Sequence, residues 1–460
     1  QEDFDIFNSL MWELTSEHTA TWEQIYAELN YYDYQPNIAE LSPVSAYYEL
    51  YKEMITSEKL ALAKQYTMPP LSKIIYTSST PGKMALLDSD GNAYLWGTNP
   101  YGTIGDGTNI IRQLPQKLPI ENIQLLRVNN YSSFAVTENG ELYAWGNNSS
   151  GMLGLGEDKA IERIEYRNYP ILHYTPEKVD FDKKIKDIVN RGWYTAILTE
   201  DGEVYRCGAQ LEKLRNYMEL GFDIDDPDYP TERIFVFTKL ELPEKIVSVS
   251  CGGSNYVFAS ESGKVYVLGL FGDQNGSEFY EEVTEIEFPE PIVKVHAYLG
   301  TFFAISEDGT LYGYGSNSGS ALCNEDTSMF FSEPVKLLEN IRDIDGTRAF
   351  IALTNDGTCY GWGENYCNIF QNSPDNVQDI DLSVKAPIVS TPVLIPLPEK
   401  AAMCSIDDGR CVALGESGTV YFWGKDSTNY SLAPGFVPDD YKDIPYSERR
   451  IVAKPTPLGS

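Results

Sequence analysis

The sequence predicts an all-β fold, a seven-bladed β-propeller with a small N-terminal α-helical extension. The main observation is a short pattern that occurs seven times, in which a glycine is followed three residues later by tyrosine and six residues later by glycine. A unit this short cannot bury its own apolar face, so the copies must stack on one another. The closing glycines of the seven copies are Gly97, Gly146, Gly208, Gly269, Gly315, Gly363 and Gly424.

Each copy of the pattern predicts a β-hairpin. An apolar run, such as residues 134–136, precedes an Asp-Gly, Asn-Gly or Ser-Gly pair. These residues adopt the positive φ angles of tight hairpin turns at low energetic cost. After the turn the side chains alternate, so that Leu142 and Ala144 share one face while Tyr143 and Trp145 share the other.

The sequence around each hairpin supplies two more strands. An apolar strand lies upstream of the hairpin, as at 185–188, and a proline-flanked segment lies upstream of that strand, as at 176–179. Four strands make one propeller blade. The closing glycines are 46 to 62 residues apart, and the longer steps predict loop insertions. No hairpin follows the proline-flanked segment 454–458, so we expect it to complete blade one, with strands at about 71–97, and to close the ring.

The first 70 residues contain no copy of the pattern and predict two to four helices. Residues 21–24 match a helix-capping box, and Ser42-Pro43 places a capping serine before a proline at the first helical position. We therefore divide the chain into a helical extension, 1–70, and a propeller, 71–458. The extension is expected to pack on the propeller or cap it; binding a partner is the alternative.

The repeats resemble those of the regulator of chromosome condensation family, whose fold is a seven-bladed propeller. The hairpins and the glycine-rich tails at 99–107 and 147–156 carry the resemblance, which covers roughly 71–458. The family includes a nucleotide-exchange factor for the small GTPase Ran, a plant ultraviolet-light receptor and a secreted bacterial inhibitor of β-lactamases. The resemblance therefore implies the fold and leaves several functions open.

The charge of the chain restricts its partners. With 35 Lys and Arg against 68 Asp and Glu, the formal net charge is −33. Such a surface repels phosphate backbones, so we expect no nucleic-acid binding and favour neutral or basic protein partners. No run of about 20 apolar residues occurs, which predicts no membrane insertion. The sequence has no leader-like start, so a cytoplasmic location and an extracytoplasmic one after signal removal both stay open.

The sequence offers few candidates for chemistry. Its three histidines, His18, His173 and His296, lie far apart, and no histidine or cysteine spacing typical of zinc sites occurs. We expect no catalytic residue, no metal ligand and no cofactor site. The tryptophans of the repeat are expected to pack between strands and blades. They are Trp96, Trp145, Trp362 and Trp423.

The seven cysteines are mostly expected to be buried small apolar residues. Because seven is an odd number, at least one is unpaired or pairs with another chain. Cys404 and Cys411 flank a turn and are the minor candidate for a disulfide across two strands. Cys359 with Cys367 is a weaker candidate.

These features predict a non-enzymatic scaffold for protein–protein interactions, a rigid ring whose variable loops select the partner. The alternatives are a guanine-nucleotide exchange factor for a small GTPase and an inhibitor of a secreted enzyme. The candidate surfaces are the long segments 157–175, 210–233, 368–391 and 425–449. For exchange, segment 210–233 with its acidic run at 223–228 is the candidate wedge.

Tyrosines in or beside these segments are the candidate contact residues, because tyrosine gives a large contact area with little loss of rotamer entropy. Trp193 is added as an aromatic residue expected on the top of the propeller. The candidate contact residues are Tyr166, Tyr169, Tyr174, Trp193, Tyr217, Tyr229, Tyr430, Tyr441 and Tyr446.

Overall fold

A computed structural model describes the propeller and leaves the N-terminal segment and several insertions undescribed. The described residues are 74–80, 83–110, 112–164, 167–210, 233–273, 276–323, 328–365, 369–370, 388–407, 409–425 and 451–457. The helices predicted for 1–70 lie outside these residues.

The first three blades are four-stranded antiparallel sheets. Blade one consists of β1 (Ile74–Thr80), β2 (Lys83–Asp88), β3 (Ala93–Gly97) and β4 (Arg112–Lys117). Blade two consists of β5 (Ile123–Val128), β6 (Ser132–Thr137), β7 (Leu142–Asn147) and β10 (Leu172–Val179), with the inserted hairpin β8 (Ile161–Ile164) and β9 (Arg167–Pro170) between β7 and β10. Blade three consists of β11 (Ile185–Arg191), β12 (Tyr194–Thr199), β13 (Val204–Ala209) and β14 (Arg233–Leu240).

The remaining four blades repeat this arrangement, again as four-stranded antiparallel sheets. Blade four consists of β15 (Ile246–Cys251), β16 (Asn255–Ser260), β17 (Val265–Asp273) and β18 (Gly276–Ile286), and blade five of β19 (Ile292–Tyr298), β20 (Thr301–Ser306), β21 (Leu311–Ser316) and β22 (Phe330–Leu338). Blade six consists of β23 (Ile341–Gly346), β24 (Ala349–Thr354), β25 (Cys359–Glu364) and β26 (Ile388–Ile395), and blade seven of β27 (Ala401–Asp407), β28 (Arg410–Gly415), β29 (Val420–Lys425) and β30 (Ile451–Pro457). The prediction of seven blades is confirmed.

The predicted closure of the ring is wrong. The C-terminal strand β30 pairs with β29, with Tyr421 opposite Pro457, so it completes blade seven and not blade one. The proline-flanked segments are the fourth strands of the preceding blades. For example, Lys178 pairs with Tyr143 of the hairpin before it. Proline fits there because the fourth strand is the outer edge of its blade, where half of the N–H groups need no partner strand. The ring closes by packing of β1 against β27 and β28.

Buried tryptophans hold neighbouring blades together, as predicted. The rings of Trp145, Trp362 and Trp423 are completely buried. Each indole N–H donates a hydrogen bond to a backbone carbonyl in the preceding blade. The acceptors are Thr103 O at 2.8 Å, Ala321 O at 2.7 Å and Ile369 O at 2.8 Å. Each ring thus combines apolar burial with a satisfied polar N–H, which is what a buried indole requires.

Candidate partner-binding face at the channel mouth

The ring has two faces that differ in the connections they carry. First and third strands run toward one face, and second and fourth strands run away from it, because neighbouring strands are antiparallel. The channel-mouth face therefore holds the turns between first and second strands and the links between third and fourth strands. The acidic face holds the turns between second and third strands and the links between blades.

The long segments predicted as binding surfaces all emerge from the channel-mouth face. They connect third to fourth strands in blades two, three, six and seven. In blade two the segment contains the hairpin β8–β9, in which Ile161 pairs with Pro170. Most of segments 210–233, 368–391 and 425–449 lies outside the described residues.

The closing glycines of the sequence pattern fix the turns on the channel-mouth face. Gly146 has φ 112°, and a Cβ atom there would lie 2.4 Å from the Tyr131 carbonyl oxygen. The next amide, Asn147 N–H, donates to the same oxygen at 2.7 Å. The third strand thus closes directly onto the turn between the first two strands. Blades three to six repeat this arrangement, which makes the turns rigid.

A cavity of about 410 Å³ with a mixed polar and apolar lining lies in the channel at this face. It is lined by the ends of the inner strands and by the turns that follow them, from blades two to seven. The lining includes Arg191, Ser250, His296, Tyr298, Asp345 and Asp407. A cavity of this size with polar groups from six blades can accept a side chain or a loop tip of a partner protein.

Ion pairs between neighbouring blades neutralise charges along the channel. Arg127 Nη2 of blade two lies 2.7 Å from Asp187 Oδ1 of blade three. Lys294 Nζ of blade five lies 2.6 Å from Asp343 Oδ1 of blade six. All four side chains are partly exposed, so each pair contributes little to the free energy of unfolding and mainly sets the position of the side chains.

His296 is a neutral donor inside the channel. Burial lowers the pKa of its imidazole even though the nearby Asp345 carboxylate acts in the opposite direction. Its Nε2 atom lies 3.1 Å from the Gly346 carbonyl oxygen of the next blade, so the neutral ring donates an N–H there. The histidine therefore joins blades five and six without adding charge.

An exposed apolar residue and a stacked cation stand at the rim of the cavity. Leu299 is 50% exposed and has φ 48°, a conformation that leucine rarely adopts. Its backbone lies against Gly252, where a Cβ atom would come within 2.8 Å of Leu299 O. Beside it, the Arg191 guanidinium stacks 4.6 Å from the centre of the Tyr298 ring. A rigid, exposed leucine beside a stacked arginine resembles the anchor residues of protein interfaces.

Trp193 lies on the channel-mouth face. It follows Gly192 in the turn between β11 and β12 and is partly buried. Its carbonyl oxygen accepts hydrogen bonds from Ser150 Oγ at 2.8 Å and from Ala209 N–H at 3.0 Å. The turn is fixed and Trp193 is only partly buried, so a contact of this residue with a partner stays a prediction.

Tyr174 has a structural role that the sequence did not suggest. Its ring packs on Gly102 of blade one, where a Cβ atom would lie 2.3 Å from Tyr174 Cδ1. Its carbonyl accepts the Gly107 N–H at 2.9 Å. For Tyr169 only the backbone in β9 is described. The remaining predicted contact residues, Tyr166, Tyr217, Tyr229, Tyr430, Tyr441 and Tyr446, lie outside the described residues.

The acidic face differs in composition. The seven hairpin turns there carry twelve carboxylates and one lysine, Lys264. The turns are 88–92, 138–141, 200–203, 261–264, 307–310, 355–358 and 416–419. A second cavity of about 430 Å³ opens near these turns between blades three to six, with Lys186, Ser248, Glu307 and Arg342 in its wall.

Sequence reasoning missed the residues that line the channel. Polar side chains occupy alternate positions in two inner strands, Lys294 and His296 in β19 and Asp343 and Asp345 in β23, and Asp187 lies in β11. This polar alternation is the signal that could have identified the strands as channel-lining. Leu299 carries no comparable signal, because its turn packs against Gly252 and Gly253 of a neighbouring blade, a contact that the local sequence does not show.

Comparison with known proteins now identifies the repeat. The family model described as "Regulator of chromosome condensation (RCC1) repeat" matches residues 127–151, within blade two. This match and the seven-bladed ring agree with the regulator of chromosome condensation repeat family that the sequence resembles. The predicted resemblance is thereby confirmed.

Several curated relatives match parts of the repeat propeller. The regulator of chromosome condensation of Homo sapiens is 24% identical over 382 residues, which cover 76% of this chain and 83% of the relative. The ultraviolet-B receptor of Arabidopsis thaliana is 27% identical over 254 residues, and the guanine nucleotide exchange factor SRM1 of Saccharomyces cerevisiae is 25% identical over 246 residues. These two matches span only 51% and 48% of the relatives.

Solved structures agree on the fold. The yeast protein Prp20, solved bound to Kap60, superposes with a TM-score of 0.62 at 20% identity, covering 86% of this chain and 89% of Prp20. This likeness concerns the fold alone. Among the described residues there is no group of side chains that could hold a metal ion and no helix long and apolar enough to cross a membrane.

The relatives correct one expectation. We expected a non-enzymatic protein, but two relatives bear the name of guanine nucleotide exchange factors, SRM1 and the secretion-regulating exchange factor of Bos taurus. Exchange factors act catalytically on GTPases, since one molecule releases nucleotide from many. The expectation of a protein without catalytic function is therefore contradicted.

Proposed function

We propose that this propeller is a guanine nucleotide exchange factor for a small GTPase, which it binds through the channel-mouth face. The main support for this proposal is the match to human regulator of chromosome condensation over 76% of this chain, together with the relatives named as exchange factors. The protein-interaction role predicted from the sequence is part of this proposal, because exchange requires a specific protein complex.

The physical basis of exchange is differential affinity. A protein that binds the nucleotide-free GTPase more tightly than the loaded one must, by linkage, weaken nucleotide binding by the same factor. It needs a rigid surface that does not yield to the GTPase. The glycine-fixed turns, the exposed Leu299 and the hairpin β8–β9 supply such a surface on one face. The wedge predicted at 210–233 starts from the same face and stays a prediction.

The test is release of a fluorescent guanine nucleotide from a Ran-type GTPase. The wild-type protein should accelerate release, and Leu299→Ala should reduce the acceleration by roughly tenfold or more, the effect of losing one interface anchor. The matched control is Leu394→Ala, which truncates a leucine that is 57% exposed on the outer strand β26 of blade six. Absence of acceleration by wild-type protein across a panel of small GTPases would refute the proposal.

A second candidate function is binding of basic proteins by the acidic face. The observation that favours it is the set of twelve carboxylates in the seven hairpin turns. The structure report on Saccharomyces cerevisiae Prp20p names Gsp1p and histones as its binding partners. A titration with core histones tests this function, because electrostatic binding must weaken as salt increases. The enzyme-inhibitor alternative stays a prediction without a supporting observation.

A further inference from the structure

One pair of equivalent positions recurs at the interfaces between blades. The first residue of the third strand in one blade and the fourth residue of the first strand in the next blade share a buried cluster. At five interfaces both residues are aliphatic: Ala93 and Leu126, Leu142 and Ile188, Val204 and Val249, Val265 and Val295, Leu311 and Ile344. The ring geometry therefore brings these two positions together repeatedly.

At the interface of blades six and seven the same two positions are both cysteines. Cys359 begins β25 and is buried, and Cys404 is the fourth residue of β27 and is partly exposed. Their Sγ atoms are 2.8 Å apart. A disulfide bond needs a separation of about 2.05 Å, so the sulfurs must approach by about 0.8 Å. A pair of thiols this close, on two packed strands, is prearranged for oxidation.

The register of blade seven explains why Cys404 does not pair with Cys411, the partner considered from the sequence. Across the hairpin, Cys404 lies opposite Ala413, and Cys411 lies opposite Ile406. Cys411 is therefore displaced along the strand by two residues from the position that faces Cys404. The sulfur in contact with Cys404 comes instead from the neighbouring blade, 45 residues earlier in the chain.

We propose that Cys359 and Cys404 form a reversible disulfide that links blades six and seven, with a low-molecular-weight disulfide such as oxidised glutathione as the oxidant. The Cys404 thiolate attacks one glutathione sulfur, which forms a mixed disulfide and releases one glutathione thiolate. The Cys359 thiolate then attacks the Cys404 sulfur and releases the second glutathione. Two protein thiols are oxidised, one glutathione disulfide is reduced, and the two thiol protons pass to the released glutathiones.

The bond has two expected consequences. It closes a loop between residues 45 positions apart, which restricts the unfolded chain and stabilises the folded one. It also fixes strand β27, whose Ser405 and Asp407 line the cavity at the channel mouth. Oxidation therefore acts on a wall of the candidate binding face, although the inference stands independently of the proposed exchange activity.

The experiment uses the full chain, reduced and then treated with oxidised glutathione. Peptide mapping by mass spectrometry without reduction should show the Cys359 and Cys404 peptides joined, with the loss of two hydrogen atoms and no retained glutathione. The midpoint of thermal unfolding should rise by several degrees on oxidation and return on reduction. A crosslink between Cys404 and Cys411, or a stable glutathione adduct at Cys404 without closure, would overturn the proposal.

Matched variants separate the bond from general effects of oxidation. The double variant Cys359→Val, Cys404→Val copies the valine pair of the interface between blades four and five, so it should fold and show no oxidation-dependent rise. Cys411→Ala should keep the crosslink. In the valine background, Val265→Cys with Val295→Cys should form the equivalent bond between blades four and five, two interfaces away. If this second pair crosslinks while Cys359 and Cys404 stay reduced in the folded wild type, the proposed bond is refuted.

Discussion

The two faces of the ring are built from the same repeat but differ in their backbone packing and in their charge. On the channel-mouth face, closing glycines such as Gly146 press the third strand onto the first turn, and the turns carry few charges. On the acidic face, Gly140 stands among carboxylates and has nothing within 4 Å of an added Cβ, whereas a Cβ at the equivalent Gly91 or Gly263 would lie 2.6 or 2.5 Å from the next blade. The channel-mouth face is therefore distinguished by third strands that close onto the first turn of their own blade, and the acidic face by its concentration of charge. Specific contacts require a rigid, closely packed backbone, and long-range attraction requires a concentration of charge.

The tyrosine of the sequence pattern belongs to the acidic face. Its hydroxyl group donates to a carboxylate in several blades, as Tyr205 does to Glu203 at 2.8 Å and Tyr421 to Glu399 at 2.8 Å. In blade four, burial and the hydrogen bond to Glu244 raise the pKa of Tyr266 to about 12. The phenols thus hold the carboxylates in place, and the acidic face is an ordered array.

The largest expected difference between the faces comes from two glycines of blade two. In Gly146→Ala the new Cβ would lie 2.4 Å from the Tyr131 carbonyl oxygen at φ 112°. We expect a loss of about 3 kcal/mol or more in the free energy of unfolding, since backbone must move. In Gly140→Ala nothing lies within 4 Å of the new Cβ, and only the strain of φ 80° remains, about 1 kcal/mol.

Urea unfolding of the two variants at one pH measures this difference. The pair is well matched because Gly140 precedes β7, Gly146 lies near the end of the same strand, and both have positive φ. Equal destabilisation of the two variants would show that positive φ alone governs these sites. The rigidity argued for the channel-mouth face would then lose its basis.

Much of this fold follows from sequence alone, and the errors have physical causes. The seven hairpins follow because Gly140, Tyr143 and Gly146 mark a local turn and its returning strand. The blade that an outer strand joins depends on pairing with residues distant in sequence. The strand β30 pairs with β29 across an intervening segment, and both assignments of such a segment give four strands per repeat. Local pattern therefore could not distinguish them.

The candidate site was harder to predict than the fold. Trp193 directly precedes the recognisable strand β12, which makes its position in a turn predictable, while its role as a contact residue stays a prediction. The cavity residues Arg191 and Asp345 meet only through the closed ring, since more than 150 residues separate them in sequence. The contact of Cys359 with Cys404 likewise depends on packing between blades. The local sequence indicates which strands form, but the contacts between side chains of different blades depend on how the blades pack in the ring.

Two lysines, one near each face of the ring, should differ in their effect on the pH dependence of stability. Lys83, near the channel mouth, is buried and donates to the carbonyls of Asn129 and Asn130, both at 3.0 Å. Burial lowers its pKa to about 7. Because its pKa is lower in the folded protein than in the unfolded one, the unfolded chain binds more protons above pH 7. Its effect on stability should therefore become more favourable as pH rises from about 7 to about 10.

The measurement is the free energy of unfolding at several pH values for wild type and Lys83→Met. The free energy of unfolding of the wild type minus that of the variant should rise with pH, by at most about 1.4 kcal/mol per pH unit. The control is Lys264→Met on the acidic face. There the hydrogen bond to Glu285 raises the lysine pKa, so the corresponding difference should stay flat up to pH 9. A flat profile for Lys83 would show that its ammonium group is not desolvated in the folded protein.

The smallest expected effect is the response of the acidic face to nucleic acid. At low salt, duplex DNA should not bind detectably, because the turns of that face repel phosphates and those of the channel mouth carry few charges. Core histones in the same buffer should bind, and their affinity should fall as salt rises. Replacing Glu200, Asp201 and Glu203 by their amides should weaken this binding, while Leu299→Ala should leave it unchanged. DNA binding comparable to histone binding would mean that the undescribed segments, and not the acidic turns, control the electrostatics of the protein.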